Sequence, residues 1–385
     1  MKTLCLLLLL AGTTAACGQT NAPAAKPQTL SKTGIDFRHQ AEDVVTGVKV
    51  PWAIVFDPAG RMFFTERAGR VRVYENGKLR EEPYFTVPDV LVASETGLMG
   101  MCLHPDYKTN KYVYLAFGYK GEGRDVRVVR YVDTGSTLQQ DKVIVSGIGV
   151  KGNHSGCQIA FGPDGKLYIS TGEMFEQDRA QDLKDLGGKF LRVNDDGTAP
   201  DDNPFVKTEG ARPEIWTLGN RNPQGFDWHP DTKELFSTEH GPSGEVRDGS
   251  RPAGGGDEFN HIQKGKNYGW PEIFYDQKKE GMESPLVLWR RPTMAPGGGC
   301  FYDGEKFPEL KGKYLAACLL GQQIRCITLD GSKVTSDDTL LTGYGRVRAI
   351  TVGPDGFIYF STSNRDGRGR AGETDDRIVR LKPLS

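Results

Sequence analysis

One unit recurs along this chain: a strand in which apolar and polar residues alternate, a turn that contains Pro-Asp or Asp-Pro, and a second alternating strand. An alternation with a period of two is typical of strands with one buried face, and Pro, Asp and Gly are typical of tight turns. Five copies are clear, and they begin at Ala53, Met99, Cys157, Gly225 and Ala349. A weaker sixth copy, "CFYDGEKFPELKGKYLAACLLGQQIRCITL", occupies residues 300–329.

The spacing of these copies constrains the fold further. The turn prolines at positions 58, 105, 163 and 230 lie about 50 to 70 residues apart, a spacing compatible with propeller blades that carry loop insertions. Six units therefore predict an all-β fold, a six-bladed β-propeller that forms one domain over residues 41–385. Two β-sandwiches are the alternative, which the repeat disfavours because it spans nearly the whole chain. Only "DRAQDLKDLG" favours a helix, and a short one.

Composition restricts the class of partner. Among the 385 residues, 49 Lys and Arg balance 50 Asp and Glu, and no basic block occurs. A chain without a basic patch does not favour nucleic acid as a partner. The 49 Gly and 22 Pro residues favour a turn-rich fold over a helical one.

The first 40 residues predict export and a tether. Lys2 is followed by the apolar stretch "LCLLLLLAG" and by small residues up to Cys17, which is the pattern of a signal peptide over residues 1–16. This stretch is too short to span a bilayer. A cysteine directly after small residues predicts lipid attachment at Cys17, and ordinary cleavage near Ala16 is the alternative. Residues 17–40 then form a flexible tether, and we expect a periplasmic or cell-surface protein that contacts the membrane only through this anchor.

The other cysteines do not form a metal-binding pattern. No CxxC pair occurs, so the sequence does not predict a zinc site. Cys318 and Cys326 flank a plausible hairpin and could face each other, because export permits disulfides. We nevertheless expect both to be reduced core residues.

Two histidines lie in glycine-rich segments between the strand units, where a propeller carries its function. They are His154, in "GNHSG", and His240, in "TEHGP". His154 begins a strand pair that ends at Glu173, and a hairpin brings its two ends together. A carboxylate on one ring nitrogen fixes the tautomer and leaves the other nitrogen as a base. The alternative is that His154 is a turn residue, as we expect for His104 and His229 before their Pro-Asp turns.

Two further segments are compatible with ligand binding and with a purely structural role. The loop that starts at "TEHGP" is rich in Gly, Pro and acids, and its carbonyl and carboxylate oxygens suit Ca²⁺. A solvated acidic loop is the alternative. Arg346 and Arg348 alternate on one face of a predicted strand, and paired guanidinium groups suit an acidic ligand. A cross-strand salt-bridge pair is the alternative.

Several of these segments occur in the order of a known family. They are "TGLMGMCLHPDY", His154 with "GPDGKLYISTGE", "GNRNPQG", and "TEHGP" followed by "GDEFNHIQKGKNYGWP". Together they resemble the soluble PQQ-dependent sugar dehydrogenases, the glucose/sorbosone dehydrogenase family, over roughly residues 45 to 382.

This resemblance implies a six-bladed propeller that holds pyrroloquinoline quinone (PQQ) over the mouth of its channel. The implied reaction oxidises an aldose sugar at C1 to a lactone by hydride transfer to the quinone, and an electron acceptor completes the cycle. His154 would be the general base and Glu173 the acid that orients it. Arg221 would stabilise charge on the quinone oxygen, and Asn222 would bind the cofactor.

The resemblance also assigns the remaining cofactor contacts. The carbonyl groups of Gly241 and Pro242 would hold the Ca²⁺ of the cofactor, and Arg346 and Arg348 would bind the PQQ carboxylates. Two more positions match contacts near the cofactor or substrate: Glu95 and Thr293.

The chain departs from the family pattern at two positions. Leu320 stands where the glucose enzymes have a cofactor-contacting lysine, which puts high PQQ affinity in doubt, and Arg291 stands at an aromatic position, where its charge could compensate. The acidic loop is also longer, so the resemblance does not identify the sugar.

A non-catalytic propeller that binds a carbohydrate or a protein at the cell surface is therefore the alternative function. A metal-dependent lactonase is disfavoured, because no cluster of acidic side chains is evident in the sequence.

Overall fold

The structure is a computed structural model that describes residues 34–242, 246, 249 and 254–384. The predicted signal peptide over residues 1–16, Cys17 and the first part of the predicted tether lie outside these residues. The described chain forms six antiparallel sheets that follow one another in sequence, which confirms the predicted all-β, six-bladed β-propeller. Within this part of the chain, no helix is long and apolar enough to cross a membrane.

The strands follow the chain around the propeller, beginning with β1 (His39–Val45). Blade 1 contains β2 (Pro51–Phe56), β3 (Met62–Glu66), β4 (Arg70–Glu75), β5 (Lys78–Leu79) and β6 (Phe85–Thr86). Blade 2 contains β7 (Leu98–Leu103), β8 (Tyr112–Tyr119), β9 (Asp125–Asp133) and β10 (Leu138–Val145). Blade 3 contains β11 (Gly156–Phe161), β12 (Leu167–Thr171), β13 (Lys189–Val193) and β14 (Ile215–Thr217).

Blade 4 contains β15 (Pro223–Trp228), β16 (Leu235–Glu239), β17 (Asp257–Ile262) and β18 (Val287–Trp289). Blade 5 contains β19 (Pro296–Phe301), β20 (Tyr314–Cys318), β21 (Gln323–Asp330) and β22 (Lys333–Thr342). Blade 6 contains β23 (Val347–Val352), β24 (Ile358–Thr362) and β25 (Ile378–Pro383). The helical segments that the structure describes are short: α1 (Tyr107–Asn110) and two 3₁₀ turns, Gln177–Ala180 and Pro308–Leu310. The first of these 3₁₀ turns overlaps the start of the segment, residues 178–187, for which the sequence predicted a short helix.

The first strand of the chain completes the last blade. β1 pairs antiparallel with β25, with Ala41 opposite Leu381, and this pairing closes the ring. β1 begins inside the segment 17–40 that the sequence assigned to a tether, and Ile35 and Phe37 pack against the core of the last blades. The propeller therefore starts before residue 41, because the edge strand of blade 6 must come from the N-terminal segment.

The first strand of each blade lies innermost. β2, β7, β11, β15, β19 and β23 contact one another in a closed ring. Aromatic rings fill the space between blades 4 and 5, where Phe236 stacks on Phe259, and Phe259 and Phe301 pack against Tyr314. Burying such a side chain contributes about 1.5–3 kcal/mol, so the blades form a rigid frame around the channel.

The first two strands of every blade form a hairpin, and this geometry determines where the loops meet. The Pro-Asp turns lie between the two strands at one end. The residues before the first strand and after the second meet at the other end, as Gly156 opposite Thr171 and Pro223 opposite Glu239 show. We call this end of the channel the mouth, formed by residues 48–50, 66–68, 92–97, 151–155, 172–175, 219–222, 240–242, 293–295, 319–321, 344–346 and 363–369.

The cysteines that the structure describes do not form disulfides. The five cysteines of the described chain are free and buried. Cys318 lies opposite Gln323 and Cys326 lies opposite Leu315 in the β20–β21 hairpin, so the two thiols are not cross-strand partners. The expectation of reduced core cysteines is confirmed.

Candidate active site in the mouth

A histidine and a carboxylate meet at the mouth of blade 3. His154 lies two residues before β11 and Glu173 two residues after β12, so the hairpin brings them together. His154 Nδ1 is 2.9 Å from Glu173 Oε1, and the two residues are 5% and 1% exposed. The second oxygen of Glu173 accepts the Phe175 backbone N–H. Because an ionised carboxylate only accepts, the ring proton lies on Nδ1 and the lone pair on Nε2.

Arg221 faces the free nitrogen of this histidine. The Arg221 guanidinium places Nη2 3.2 Å from His154 Nε2 and donates from Nη1 to the His240 carbonyl oxygen at 3.0 Å. Its Nε atom is 4.0 Å from Glu173 Oε1 and has no hydrogen-bond partner among the described residues. Burial lowers the pKa of Arg221, and the neighbouring carboxylates, Glu173 first among them, oppose this effect. The arrangement therefore joins an imidazole, a carboxylate on one of its ring nitrogens and a buried cation beside the other.

Two amide side chains follow Arg221 in sequence: Asn222 directly before β15 and Gln224 within it. Asn222 Oδ1 accepts the Gly156 backbone N–H at 3.0 Å, whereas Asn222 Nδ2 has no hydrogen-bond partner within the described chain. Gln224 Oε1 accepts a hydrogen bond from Arg348 Nη1 at 2.5 Å. Gln224 is a contact that the sequence reasoning missed, although it lies in the quoted "GNRNPQG" segment.

The two arginines of blade 6 have different partners. Arg346 Nε donates to Asp366 Oδ2 at 2.8 Å in a buried ion pair, and Asp366 lies in the loop after β24 and not on a neighbouring strand. Arg348 bonds the Gln224 amide instead, and its Nε has no hydrogen-bond partner among the residues that the structure describes. Burial lowers the pKa of Arg348 to about 10. Arg348 is thus the member of the pair that is open to an anionic ligand.

The segment proposed to hold a metal is fixed by one buried carboxylate. Asp257 Oδ1 accepts the Gly241 N–H at 3.0 Å, and Asp257 Oδ2 accepts the N–H groups of Met294 and Ala295 at 2.7 and 2.8 Å. Thr293 does not reach the His154 cluster through any described hydrogen bond; its hydroxyl oxygen accepts the Gly255 N–H at 2.8 Å. Most of the acidic loop, at 243–245, 247–248 and 250–253, lies outside the described residues.

Two glutamates, one buried and one half-buried, lie beside this segment, and the sequence reasoning missed both. Glu239 and Glu258 are cross-strand partners in β16 and β17. Burial raises the pKa of Glu239 to about 7, and burial together with the neighbouring Glu239 raises the pKa of Glu258 to about 8. The two side chains line a small cavity together with Arg221 and Pro242. Their signal in the sequence is the pair of acids in "TEHGP" and "GDEFNH".

Glu95 connects the start of blade 2 to the His154 segment. Glu95 Oε2 accepts the His154 backbone N–H at 3.1 Å, and Glu95 Oε1 pairs with Arg368 Nη1 at 2.7 Å. Glu95 therefore supports the histidine segment through the backbone.

Phe175 covers the histidine ring, a contact that no sequence motif indicated. The two ring centroids lie 4.0 Å apart, and Phe175 is 57% exposed. Its backbone adopts a left-handed φ of 61°, a conformation that is uncommon for a bulky residue. Phe175 therefore shields one face of His154 from water.

The two departures from the family pattern, Leu320 and Arg291, both lie close to the segment at 293–295. Leu320 is 54% exposed, and its N–H donates to the Met294 carbonyl oxygen at 3.0 Å. Arg291 is exposed and lies beside Gly254. Leu320 thus borders the mouth as an apolar side chain.

Comparison with known proteins gives a consistent assignment. The family model for glucose/sorbosone dehydrogenase matches residues 48–376. The aldose sugar dehydrogenase YliI of Escherichia coli K12 is 36% identical over 338 residues, which cover 82% of this chain and 88% of that protein.

Solved structures agree with this match. An oxidoreductase from Thermus thermophilus, named as a glucose dehydrogenase, superposes with a TM-score of 0.81 at 41% identity and covers 89% of this chain and 99% of that chain. The PQQ-bound aldose sugar dehydrogenase of Streptomyces coelicolor superposes with a TM-score of 0.78 at 32% identity, over 90% of this chain and 98% of that chain. On the six-bladed frame and the extent of these matches, the chain belongs to the glucose/sorbosone dehydrogenase family and is an oxidoreductase.

Proposed function

We propose that this protein oxidises the C1 hydroxyl group of an aldose to the lactone, with PQQ as its cofactor and Ca²⁺ as the ion that accompanies it. The observation that carries the proposal is the buried contact of His154 with Glu173 on one ring nitrogen and Arg221 on the other. A similar protein, the aldose sugar dehydrogenase of Streptomyces coelicolor, has been solved in its PQQ-bound form. A purely carbohydrate-binding propeller would not need a buried base with an orienting carboxylate.

The polar groups of the mouth fit an anionic, oxygen-rich cofactor. Arg221 Nε, Asn222 Nδ2 and Arg348 Nε are buried donors without hydrogen-bond partners among the described residues. An unsatisfied buried donor costs about 1–3 kcal/mol, so a ligand that accepts from these groups would be stabilised. PQQ carries a quinone and carboxylates, which only accept, so Arg221 and Asn222 would hold the quinone side and Arg348 a carboxylate.

The metal contribution follows from the donor type. In the described residues, no group of three or more His, Cys, Asp or Glu side chains could hold a metal ion. Carbonyl oxygens suit Ca²⁺, and we propose Gly241 and Pro242 as the protein ligands, with the remaining ligands coming from the cofactor. Asp257 would act indirectly, because it fixes the Gly241 N–H and the facing 294–295 backbone.

The chemistry that PQQ supplies when bound is two-electron oxidation by acceptance of a hydride. The chain itself handles the proton. His154 Nε2 accepts the proton of the C1 hydroxyl group, and Glu173 stabilises the imidazolium that results. Arg221 places positive charge beside the reacting oxygens. Phe175 limits the access of water to the imidazole.

The location of the protein is part of the proposal. We propose export directed by residues 1–16 and anchoring through lipid on Cys17, which would place the propeller in the periplasm or at the cell surface, where an electron acceptor reoxidises the cofactor. A propeller without a membrane-spanning helix in its described residues is compatible with that arrangement.

The direct test is reconstitution. Purified protein receives PQQ and Ca²⁺, and reduction of an artificial dye is followed across a panel of aldoses. We expect turnover that depends on both additions, and His154→Ala should lower it about a hundred- to ten-thousandfold while PQQ still binds in a spectroscopic titration. Bound PQQ without turnover of any aldose would instead favour the non-catalytic propeller.

A further inference from the structure

A second cavity opens in the mouth, on the side of blades 1 and 6. Its volume is about 560 Å³, which lies within the range of about 300–1,000 Å³ of small-molecule sites. Its walls combine apolar side chains with three cations: Val50, Val92, Ala371, Lys49, Arg67 and Arg365.

Within the described chain, the charged groups of the three cations form no ion pair. None of the ion pairs between described residues involves Lys49, Arg67 or Arg365. Both Nη atoms of Arg67 contact the Asp366 carbonyl oxygen at 3.5 Å, and Arg365 Nε donates to the Asp375 carbonyl oxygen at 2.5 Å. These contacts leave the positive charges uncompensated by any bonded carboxylate.

Three carboxylates near the cavity are held by other groups: Asp376 accepts the backbone N–H groups of Val50, Asn364 and Arg365, and the other two form ion pairs. Asp366 pairs with Arg346 at 2.8 Å and Glu95 pairs with Arg368 at 2.7 Å. Burial lowers the pKa of Arg67, and the attraction of Asp366, Glu95 and Asp376 only partly opposes this effect. An anion bound in the cavity would therefore offset the free-energy cost of burying these positive charges.

This cavity adjoins the segment that carries the base. Gly367 and Gly369 line it, and Arg368 between them bonds Glu95 Oε1. Glu95 Oε2 in turn accepts the backbone N–H of His154. This chain of contacts links the cavity to the His154 segment.

We propose that this cavity is a subsite for an anionic group of the sugar, the carboxylate of a sugar acid or the phosphate of a sugar phosphate. The planar guanidinium of Arg67 would bind two oxygens of such a group side by side, and Lys49 and Arg365 would add charge. The inference rests on the proposed function where it concerns turnover, whereas the binding of the anion can be tested without any reaction.

Binding is measured first, by titration calorimetry on the full mature chain before PQQ is added. We expect D-glucuronate and glucose 6-phosphate to bind more tightly than glucose, and the tighter of the two identifies the carboxylate or the phosphate as the better ligand. Arg67→Gln should weaken binding of that anion about tenfold, or about 1.4 kcal/mol. If Arg67→Gln does not fold, the same measurement is made on Lys49→Gln. Lys108→Gln, an exposed cation in α1 away from the mouth, is the matched control and should leave binding unchanged.

Turnover provides the second readout on PQQ-loaded enzyme. The ratio of kcat/KM for the anionic sugar to kcat/KM for glucose should fall about tenfold in Arg67→Gln and should also fall as salt is raised. Equal affinity of the wild-type chain for glucose and both anions would overturn the proposal, and so would displacement of the bound anion by PQQ, which would make the cavity cofactor space. Anion binding that needs Arg67, in a protein that turns over no sugar, would support the subsite and refute the proposed function.

Discussion

Glu173→Gln tests the proposed base most sharply, because it keeps the shape of the side chain. In the wild-type chain, one Glu173 oxygen faces His154 Nδ1 at 2.9 Å and the other accepts the Phe175 N–H. A glutamine has one acceptor and one donor in place of two acceptors. If its oxygen faces His154, its NH₂ group faces the Phe175 N–H, and two donors oppose each other. If its NH₂ group faces His154, the ring must carry its proton on Nε2, where the lone pair is needed.

The expected loss of kcat follows from the burial of the His154–Glu173 pair. His154 and Glu173 are almost fully buried, and a hydrogen bond to a charged group contributes about 1.5–3 kcal/mol. The carboxylate stabilises the imidazolium, which forms only as the proton is transferred. We therefore expect kcat to fall by about ten- to a hundredfold, with a smaller change in KM.

The assay compares steady-state dye reduction, PQQ affinity and the melting temperature in one preparation. Glu176→Gln is the matched control, since it makes the same change three residues later at a half-exposed ion pair with Lys151, and it should leave kcat within about twofold, because exposed pairs contribute little. A Glu173→Gln enzyme with wild-type kcat would refute the role of Glu173. A fall in kcat matched by a loss of PQQ binding would show that the residue supports the cofactor pocket instead.

The remaining predictions concern the frame, the cofactor and the anchor. Lys189 is fully buried and donates to the carbonyls of Arg179, Ala180 and Gly187. Lys189→Met should therefore destabilise the fold by about 3 kcal/mol, measured by denaturant unfolding. An unchanged unfolding midpoint would contradict this. Arg348→Ala should weaken PQQ binding about ten- to a hundredfold in a spectroscopic titration with little loss of melting temperature, whereas lower stability at unchanged affinity would indicate a structural role. A chelator should abolish activity before it lowers the melting temperature, and simultaneous loss would argue against a cofactor-specific ion. Cys17→Ser should release the protein from membranes, and a mature protein whose intact mass includes no lipid would disprove the anchor.

The sequence by itself determined the blade and its hairpin. Alternating residues and Pro-Asp turns are local signals, and each predicted unit coincides with the first strands of a blade. Because a hairpin returns the chain to its starting end, the approach of His154 and Glu173, separated by 19 residues, could also be predicted. The same local reasoning put Arg346 and Arg348 on one strand face, but it could not choose between a salt bridge and a ligand site for either one.

Only the tertiary structure decided which blades meet at the mouth. Arg221 reaches His154 across 67 residues, and Arg348 reaches Gln224 across 124 residues. Such contacts depend on the number of blades, on the insertions between them and on the closure of the ring by β1, none of which a periodic pattern records. The cavity with Arg67 and Arg365 exists for the same reason, because the first and last blades become neighbours only when the two ends of the chain pair in one sheet.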